Sequence, residues 1–333
     1  LKVSSLKNVP TANLASSLGG RVSGVLIQQT GGEAGYDDPT IIIRGSSSPT
    51  SSSPLIVVDG IIGRSMSQLD PSEIESMTVL KDASAVAPYG ARGANGVILI
   101  TTKRGKSGKA QVDYNFKIGF GTPTRMPEIA SSYDHARFMN DAWRNKEMDL
   151  GEDPGMDGIY TEEELQKFRD GSDPYGYPNT DWNKEVLLPR AWQQMHSLTA
   201  SGGSDKVKYF AGFGYVKQDA LYGDTRTNKS TSGFNRYNAR VNIDANIVDK
   251  YLNLSADMAY RQEDRNSIAG STSDVFNNMH RNPQTDPGRF PDGNLGKVSL
   301  GVNPIGLATE GGWVKDRKSV LNTCLLYTSP SPR

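Results

Sequence analysis

The sequence holds a single cysteine, Cys324, in 333 residues, which excludes an internal disulfide. It has no charge of one sign to spare, with 37 Lys and Arg against 37 Asp and Glu. That balance removes the electrostatic case for nucleic acid as a partner. No apolar run approaches the roughly 20 residues of a membrane helix, and the mean hydropathy is −0.53. A polar composition leaves a membrane β-barrel open, because only alternate residues of its strands face lipid. The three histidines, His135, His196 and His280, fall in a loop helix, a strand and a loop, and no two stand at metal-ligand spacing. No nucleophile elbow and no phosphate loop occurs. Neither enzymatic activity, a cofactor nor a metal is therefore expected. The chain opens on Leu1-Lys2-Val3-Ser4 with no secretory leader, so an exported protein carrying it would begin upstream.

Glycine is abundant and placed with purpose. Residues 77–105 read MTVLKDASAVAPYGARGANGVILITTKRG. Residues 77–80 alternate apolar and polar and predict a short strand. Lys81-Asp82-Ala83-Ser84 supplies cap chemistry for a helical turn that Pro88 ends. Gly90, Gly93, Gly96 and Gly105 permit backbone approach that a side chain would block. Residues 97–102, VILITT, are apolar on both faces and predict a buried strand. Gly-x-x-Gly-x-x-Gly can mark a dinucleotide loop, but such a loop follows a strand and opens a helix. Here the glycines lead into a strand, and Tyr89 and Arg92 fit a structural role.

Upstream, Thr11 reads as the N-cap of a short helix over 12–18, closed by Gly19-Gly20. Residues 22–28 read as a strand and 30–40 as a loop. Ile41-Ile42-Ile43-Arg44-Gly45 and Pro54-Leu55-Ile56-Val57-Val58-Asp59-Gly60 read as two more strands, separated by a serine-rich loop over 46–53. Asp70-Pro71-Ser72-Glu73 opens a turn with Pro71 at its first position. Residues 1–105 thus form a small α/β domain. The basic stretch 103–109 leads out of it, with 106–111 as the linker. That stretch is short and lacks the interleaved aromatics of a nucleic-acid site.

Beyond it the pattern changes to strict period two. In 112–120 every even residue is apolar and every odd one polar or glycine. The same alternation runs through 207–215, 237–247 and 252–261, with a weaker strand over 194–201. Tight turns at Gly202-Gly203-Ser204-Asp205 and Val248-Asp249-Lys250 alternate with long excursions over 121–193 and 265–300. Short turns at one end and long loops at the other suit a transmembrane barrel. Asp113, Lys117, Asn238, Arg240, Asn242 and Asp244 then face the lumen. Tyr114, Tyr209, Tyr215, Tyr237 and Tyr260 are candidates for interfacial girdles. In the first long loop, 133–146 predicts an amphipathic helix with Phe138, Met139, Ala142 and Trp143 on its apolar face. Thr161-Glu162-Glu163-Glu164 is a capping box. The aspartates and aromatics of 170–182 offer chemistry for sugar or calcium, although EF-hand spacing is absent.

Leu80-Lys81-Asp82-Ala83-Ser84-Ala85, followed by Tyr89-Gly90-Ala91-Arg92-Gly93-Ala94-Asn95-Gly96-Val97-Ile98, resembles the plug signature of TonB-dependent outer-membrane transporters. It is most similar to the SusC/RagA branch of Bacteroidetes. The Ile41–Gly45 and Pro54–Gly60 segments resemble two further plug motifs in the family's order. The resemblance implies a fold class: a small α/β plug domain, then the first strands of an antiparallel transmembrane β-barrel, incomplete here. It implies that Arg44, Gly45, Asp59, Gly60, Lys81, Asp82, Tyr89, Gly90, Arg92, Gly93, Asn95 and Gly96 are structural or gating residues of the plug. It further implies import of oligosaccharides or peptides across a Gram-negative outer membrane. Energy would come from TonB, through a segment outside this chain, and a SusD-like lipoprotein would assist capture.

Family members carry about 22 strands around the plug, whereas this chain shows roughly five, which marks it as a fragment. The barrel part is expected over 112–320. Residues 321–333, ending TCLLYTSPSPR, break the pattern and read as non-native sequence outside the fold. A soluble extracellular β-rich adhesin or glycan-binding module is the competing reading, and it has no use for the plug signature.

Overall fold

The computed structural model describes residues 13–328 apart from 30, 36–37, 44, 46–52, 64, 67–68, 152–157 and 249–250. Thr11, Ala12, Arg44 and most of the serine-rich loop therefore lie outside the described residues. The small domain contains two sheets. Strands β1 (Val25–Gln28) and β2 (Thr40–Ile43) pair antiparallel as a separate ribbon. Strands β3 (Leu55–Val58), β4 (Ile61–Ile62), β5 (Ile74–Leu80) and β6 (Val97–Thr102) form a four-stranded sheet in the order β4-β3-β6-β5. The β3–β6 pair is parallel and the others antiparallel. β6 is central and covered on both sides, which is why it reads as a continuous apolar run. Leu14, Leu18, Ile41, Ile43, Met77 and Ile98 meet in the core.

The expected helix over 12–18 is a 3-10 turn, Ser16–Leu18, within the described residues. The strand expected from residue 22 starts at Val25, because Gly24 sits at φ +71° and interrupts the extended chain. After β5, helix α1 (Ala83–Val86) continues into a 3-10 stretch, Ala87–Gly93. Pro88 occupies an early position of that stretch, where its missing N–H costs nothing. Gly90 turns the chain at φ 56° and ψ −146°, a conformation open to glycine.

The second part is a six-stranded antiparallel sheet of β7 (Gly108–Gly121), β8 (Ala191–Gly203), β9 (Val207–Asp219), β12 (Gly233–Val248), β13 (Leu252–Ile268) and β14 (Trp313–Thr328). A small hairpin of β10 (Gly223–Asp224) and β11 (Lys229–Ser230) lies between β9 and β12 in sequence. The order is β14-β13-β12-β9-β8-β7, and the sheet does not close on itself. Three expectations change here. The linker over 106–111 is largely absorbed into β7, which begins at Gly108. The strand expected over 194–201 is full length. Residues 323–328 continue the sheet instead of leaving it, Asn253 pairing with Thr328 and Tyr260 with Leu321. Leu321, Thr323, Leu325 and Tyr327 share one face; the neighbouring Leu325 and Leu326 hide that alternation in the sequence.

The tight turns stand at one end of the sheet and the long connections at the other. Those connections carry α2 (Ser132–Asp149), α3 (Glu162–Asp170), α4 (Trp182–Val186), α5 (Thr272–Arg281) and α6 (Pro304–Thr309). Three of them share a core of Trp182, Val186, Tyr222, Val275, Met279 and Ile305, hereafter the cap. The capping box at Thr161 forms as expected, with Thr161 N donating to Glu164. Its hydrogen bonds hold the Glu164 carboxyl below the usual carboxylate range. The expected face of α2 is wrong. The helix buries Ser132, Ala136 and Asn140, whereas Phe138 is 56% exposed. Small and polar residues allow close approach to Leu165 and Phe168 of α3. Asn140 then pairs with both backbone groups of Tyr160, at 2.7 and 2.8 Å.

Candidate functional site: the contact between the small domain and the strand sheet

The two faces of the sheet differ in kind. On β7, Val112, Tyr114, Phe116, Ile118 and Phe120 point outward and are exposed; on β12, Val241, Ile243 and Ile247 do the same. The outward apolar side chains of β12 run from Tyr237 to Ile247. That span is about 34 Å along a strand and about 25 Å across a bilayer at the usual tilt. Phe116, His196, Tyr215 and Tyr237 lie in one cross-strand row. Their ring centroids are separated successively by 4.7, 5.9 and 5.0 Å. One register step along, the outward residues of β8, β9, β12 and β13 become Gln194, Lys217, Asn235 and Asp264, while Ile118 keeps β7 apolar. An aromatic row between an apolar band and a polar rim is the arrangement of a membrane interface.

The inward face is polar and holds the small domain. Arg240 Nη2 donates to Asp59 at 2.7 Å and to Asp257 at 2.6 Å, while Arg240 Nε donates to Asn242 at 3.0 Å. Arg240 is only 2% exposed. Asp59, in the turn after β3, also accepts from Thr102 N at 2.9 Å and Thr102 Oγ1 at 2.7 Å. Burial raises its pKa, but the Thr102 bonds and the Arg240 charge outweigh this and hold it below the usual value. The buried guanidinium therefore has two acidic partners on two different bodies, the geometry in which a buried ion pair is tolerated.

Where the chain leaves the small domain it is held again. Asn242 Nδ2 donates to Lys103 O at 3.4 Å, Arg104 pairs with Asp244 at 2.8 Å, and Ser255 Oγ donates to Asp244 at 2.6 Å. Gly105 passes so close over the backbone of Tyr209 that a Cβ would collide with it. At the 71–73 turn, Asp70 caps through Ser72 N at 2.7 Å. Gly214 on β9 leaves the space that Asp70 occupies. Glu73 is buried against the same strand, and its Oε1 has no hydrogen-bond partner. Burial, followed by the Asp70 charge, pushes its carboxyl up to about 8.

The residues expected from sequence distribute unevenly. Asn238, Arg240, Asn242 and Asp244 stand together on the inward face, and Asp59 reaches them. Asp113 and Lys117, on edge strand β7, line an open gap of about 270 Å³ beside the 71–73 turn. Gly60, Asp82, Gly90 and Arg92 are exposed, with Lys81, Tyr89 and Asn95 half-buried. Gly93 and Gly96 are buried by crowding from Val86 and Ile43 respectively. Gly45 is exposed, and Arg44 is outside the described residues. These motif residues shape one domain and do not converge on a ligand. Asp181 and Trp182 serve the cap. The ring is buried with Nε1 donating to Pro283 O at 3.1 Å, and Asp181 caps α4, so no platform for a sugar remains there. Among the described residues no three or more His, Cys, Asp or Glu side chains gather as a metal site. Sequence reasoning missed Glu73, Arg104 and Asp257 as contact residues; Asp257 already stood in the inward phase of β13.

Comparison with known proteins matches residues 1–97 to the TonB-dependent Receptor Plug Domain family. The TonB-dependent receptor SusC of Bacteroides thetaiotaomicron is 30% identical over 265 residues, covering 77% of this chain and 23% of that protein. The TonB-dependent receptor P3 of Formosa agariphila is 33% identical over 330 residues, covering 96% of this chain and 29% of that protein. The chain thus spans about a quarter of the length of these relatives. Among solved structures, the RagAB peptide importer in its open-open state aligns over 99% of this chain and 38% of that one, with TM-score 0.73 and 22% identity. A second RagAB structure, described as the peptide transporter, aligns over 89% of this chain and 34% of that one, with TM-score 0.70 and 24% identity.

Proposed function

We propose, for a chain that belongs to the SusC/RagA-like TonB-dependent receptors, that its parent protein is an energy-coupled importer of nutrients across the outer membrane. In this reading residues 1–105 are the plug that blocks the lumen. The strands from residue 112 onward are part of the barrel wall, with outward apolar residues in lipid. Asn238, Arg240, Asn242 and Asp244 face the lumen, and the last three hold the plug through Asp59, the Lys103 carbonyl and the Arg104 side chain. The plug glycines and Asp82, Tyr89, Arg92 and Asn95 keep that domain folded and displaceable. TonB supplies the force, a SusD-like lipoprotein assists at the long-loop end, and the cargo is an oligosaccharide or a peptide.

The observation that carries this reading is the inverted sheet: apolar outside, charged inside, with the polar face gripping a separately folded domain. A wide barrel leaks unless filled, and a filler held by polar contacts can be moved without exposing an apolar core. The test is to express the full reading frame containing this chain, fractionate membranes, and compare heated with unheated samples on a gel. A heat-shifted outer-membrane band is expected. A soluble product would overturn the reading and favour an extracellular binding module.

A further inference from the structure

The small domain touches the cap as well as the wall, through a short segment that no motif marks. Glu33 Oε1 accepts from Thr272 Oγ1 at 2.6 Å and from Tyr222 Oη at 3.1 Å. The two hydroxyls stand 3.3 Å apart. Thr272 is the first residue of α5, whose Val275 and Met279 are fully buried in the cap core; Tyr222 belongs to the same core. A carboxylate at the first turn of a ten-residue helix is favoured by the helix dipole. Ala34 is buried, and Gly35, at φ +77°, lies against the Phe234 ring and the Arg265 guanidinium with no space for a Cβ. Residues 33–35 are therefore a finger wedged between the cap and the inward face of β12 and β13.

We propose that Glu33 is a positioning residue that couples the cap to the small domain, so that the order of each depends on the other. Two independent bodies meet at one carboxylate. Its hydroxyl partners come from the β10 turn and from α5, elements on different connections that the cap core joins. Loosening the cap removes the partners of Glu33, and withdrawing the finger leaves Tyr222 and Thr272 without their acceptor. Movement of the small domain, which rests on the importer reading above, then begins with release of this contact at the long-loop end.

Hydrogen–deuterium exchange on the full-length receptor carrying this chain tests the coupling without any transport measurement, so failure of the importer reading does not affect it. Glu33→Ala is expected to raise amide exchange roughly tenfold in 31–35 and also in α5 and 220–224, as two charge-assisted bonds are lost. Glu33→Gln keeps an acceptor oxygen and is expected to restore most of the protection. Thr272→Val with Tyr222→Phe asks the same question from the cap side, and must loosen 31–35 by reciprocity. Exchange that rises only on the mutated side, in either direction, overturns the proposal. If Glu33→Ala fails to assemble, the cap-side pair decides alone.

Discussion

The small domain and the strand sheet use the same apolar residues in opposite ways. In the small domain Leu14, Leu18, Met77 and Ile98 are hidden and the charged residues surround them. In the sheet Arg240 and Asn242 are hidden, and Val112, Phe213, Ile243 and Leu325 are displayed. The first arrangement answers to water. The second is the arrangement that the proposed barrel wall requires, with hydrocarbon outside and a wet, filled space within. Period-two alternation is common to half-buried strands of any kind; what distinguishes the sheet is that its polar side carries the tertiary contacts.

The largest test of that inversion is to remove the buried cation. Arg240→Met leaves Asp59 and Asp257 as buried acids without their shared partner. It should cost the contact between the domains about 3–5 kcal/mol, read as a shift of the small-domain unfolding transition in urea on the purified full-length protein. Asp59→Asn in the same background should recover part of the loss. Next comes the choice of side. Ile243→Arg should destabilise the barrel by about 2–4 kcal/mol if it lies at mid-bilayer. Asp244→Arg, which breaks the part-exposed pair with Arg104 and the Ser255 hydrogen bond, should cost less. Equal effects in folding titrations into lipid vesicles would rule out the facing assigned to β12.

A smaller effect per step is expected from Glu73. Its carboxyl stands near 8 when buried, against an ordinary value of 4.5. The native contact then binds more protons than the unfolded chain between those values. Its contribution is complete below about pH 4.5 and is lost as pH rises toward 8, by at most about 1.4 kcal/mol per pH unit. Glu73→Gln should flatten the stability–pH curve over that window and leave the small-domain transition otherwise in place. The smallest effect belongs to α2: Phe138→Ser, on an exposed face, should change stability by less than about 0.5 kcal/mol. A loss of 2 kcal/mol or more would show that the predicted apolar face is buried after all.

Much of this was legible beforehand. The alternation of 112–120 and 237–247 placed the strands, and the inward phase of Asn238 to Asp244 followed from side-chain geometry alone. The 97–102 run announced a buried central strand. What failed did so for physical reasons. On α2, apolarity pointed to Phe138 and Met139, but Ala136 packs against α3 while Asn140 bonds Tyr160 and Ser132 meets Asn179, which leaves Phe138 and Met139 exposed. β14 was not foreseen: no strand is read over 313–320 and 321–333 reads as non-native, because the adjacent Leu325 and Leu326 obscure period two and only the pairing with β13 reveals the phase. Arg104 and Glu33 bond across separations of up to 239 residues, and Glu73 is buried against a strand distant in sequence. No local pattern encodes such contacts.

The exit of the small domain is fastened where Gly105 crosses Tyr209 and Arg104 meets Asp244. That fastening follows directly on β6, the strand between β3 and β5. Mechanically, this makes β6 the anchored member, whereas the β1–β2 ribbon shares no backbone ladder with it and is held through core side chains and the Glu33 contact. A load applied from the N-terminal side would reach the ribbon first, a bond-by-bond peel of two short strands. Only later would it reach the parallel β3–β6 pair, where several hydrogen bonds must shear together. By its strand ladders the domain is thus graded in mechanical resistance, from a short peeling ribbon to a sheet tethered at its rear.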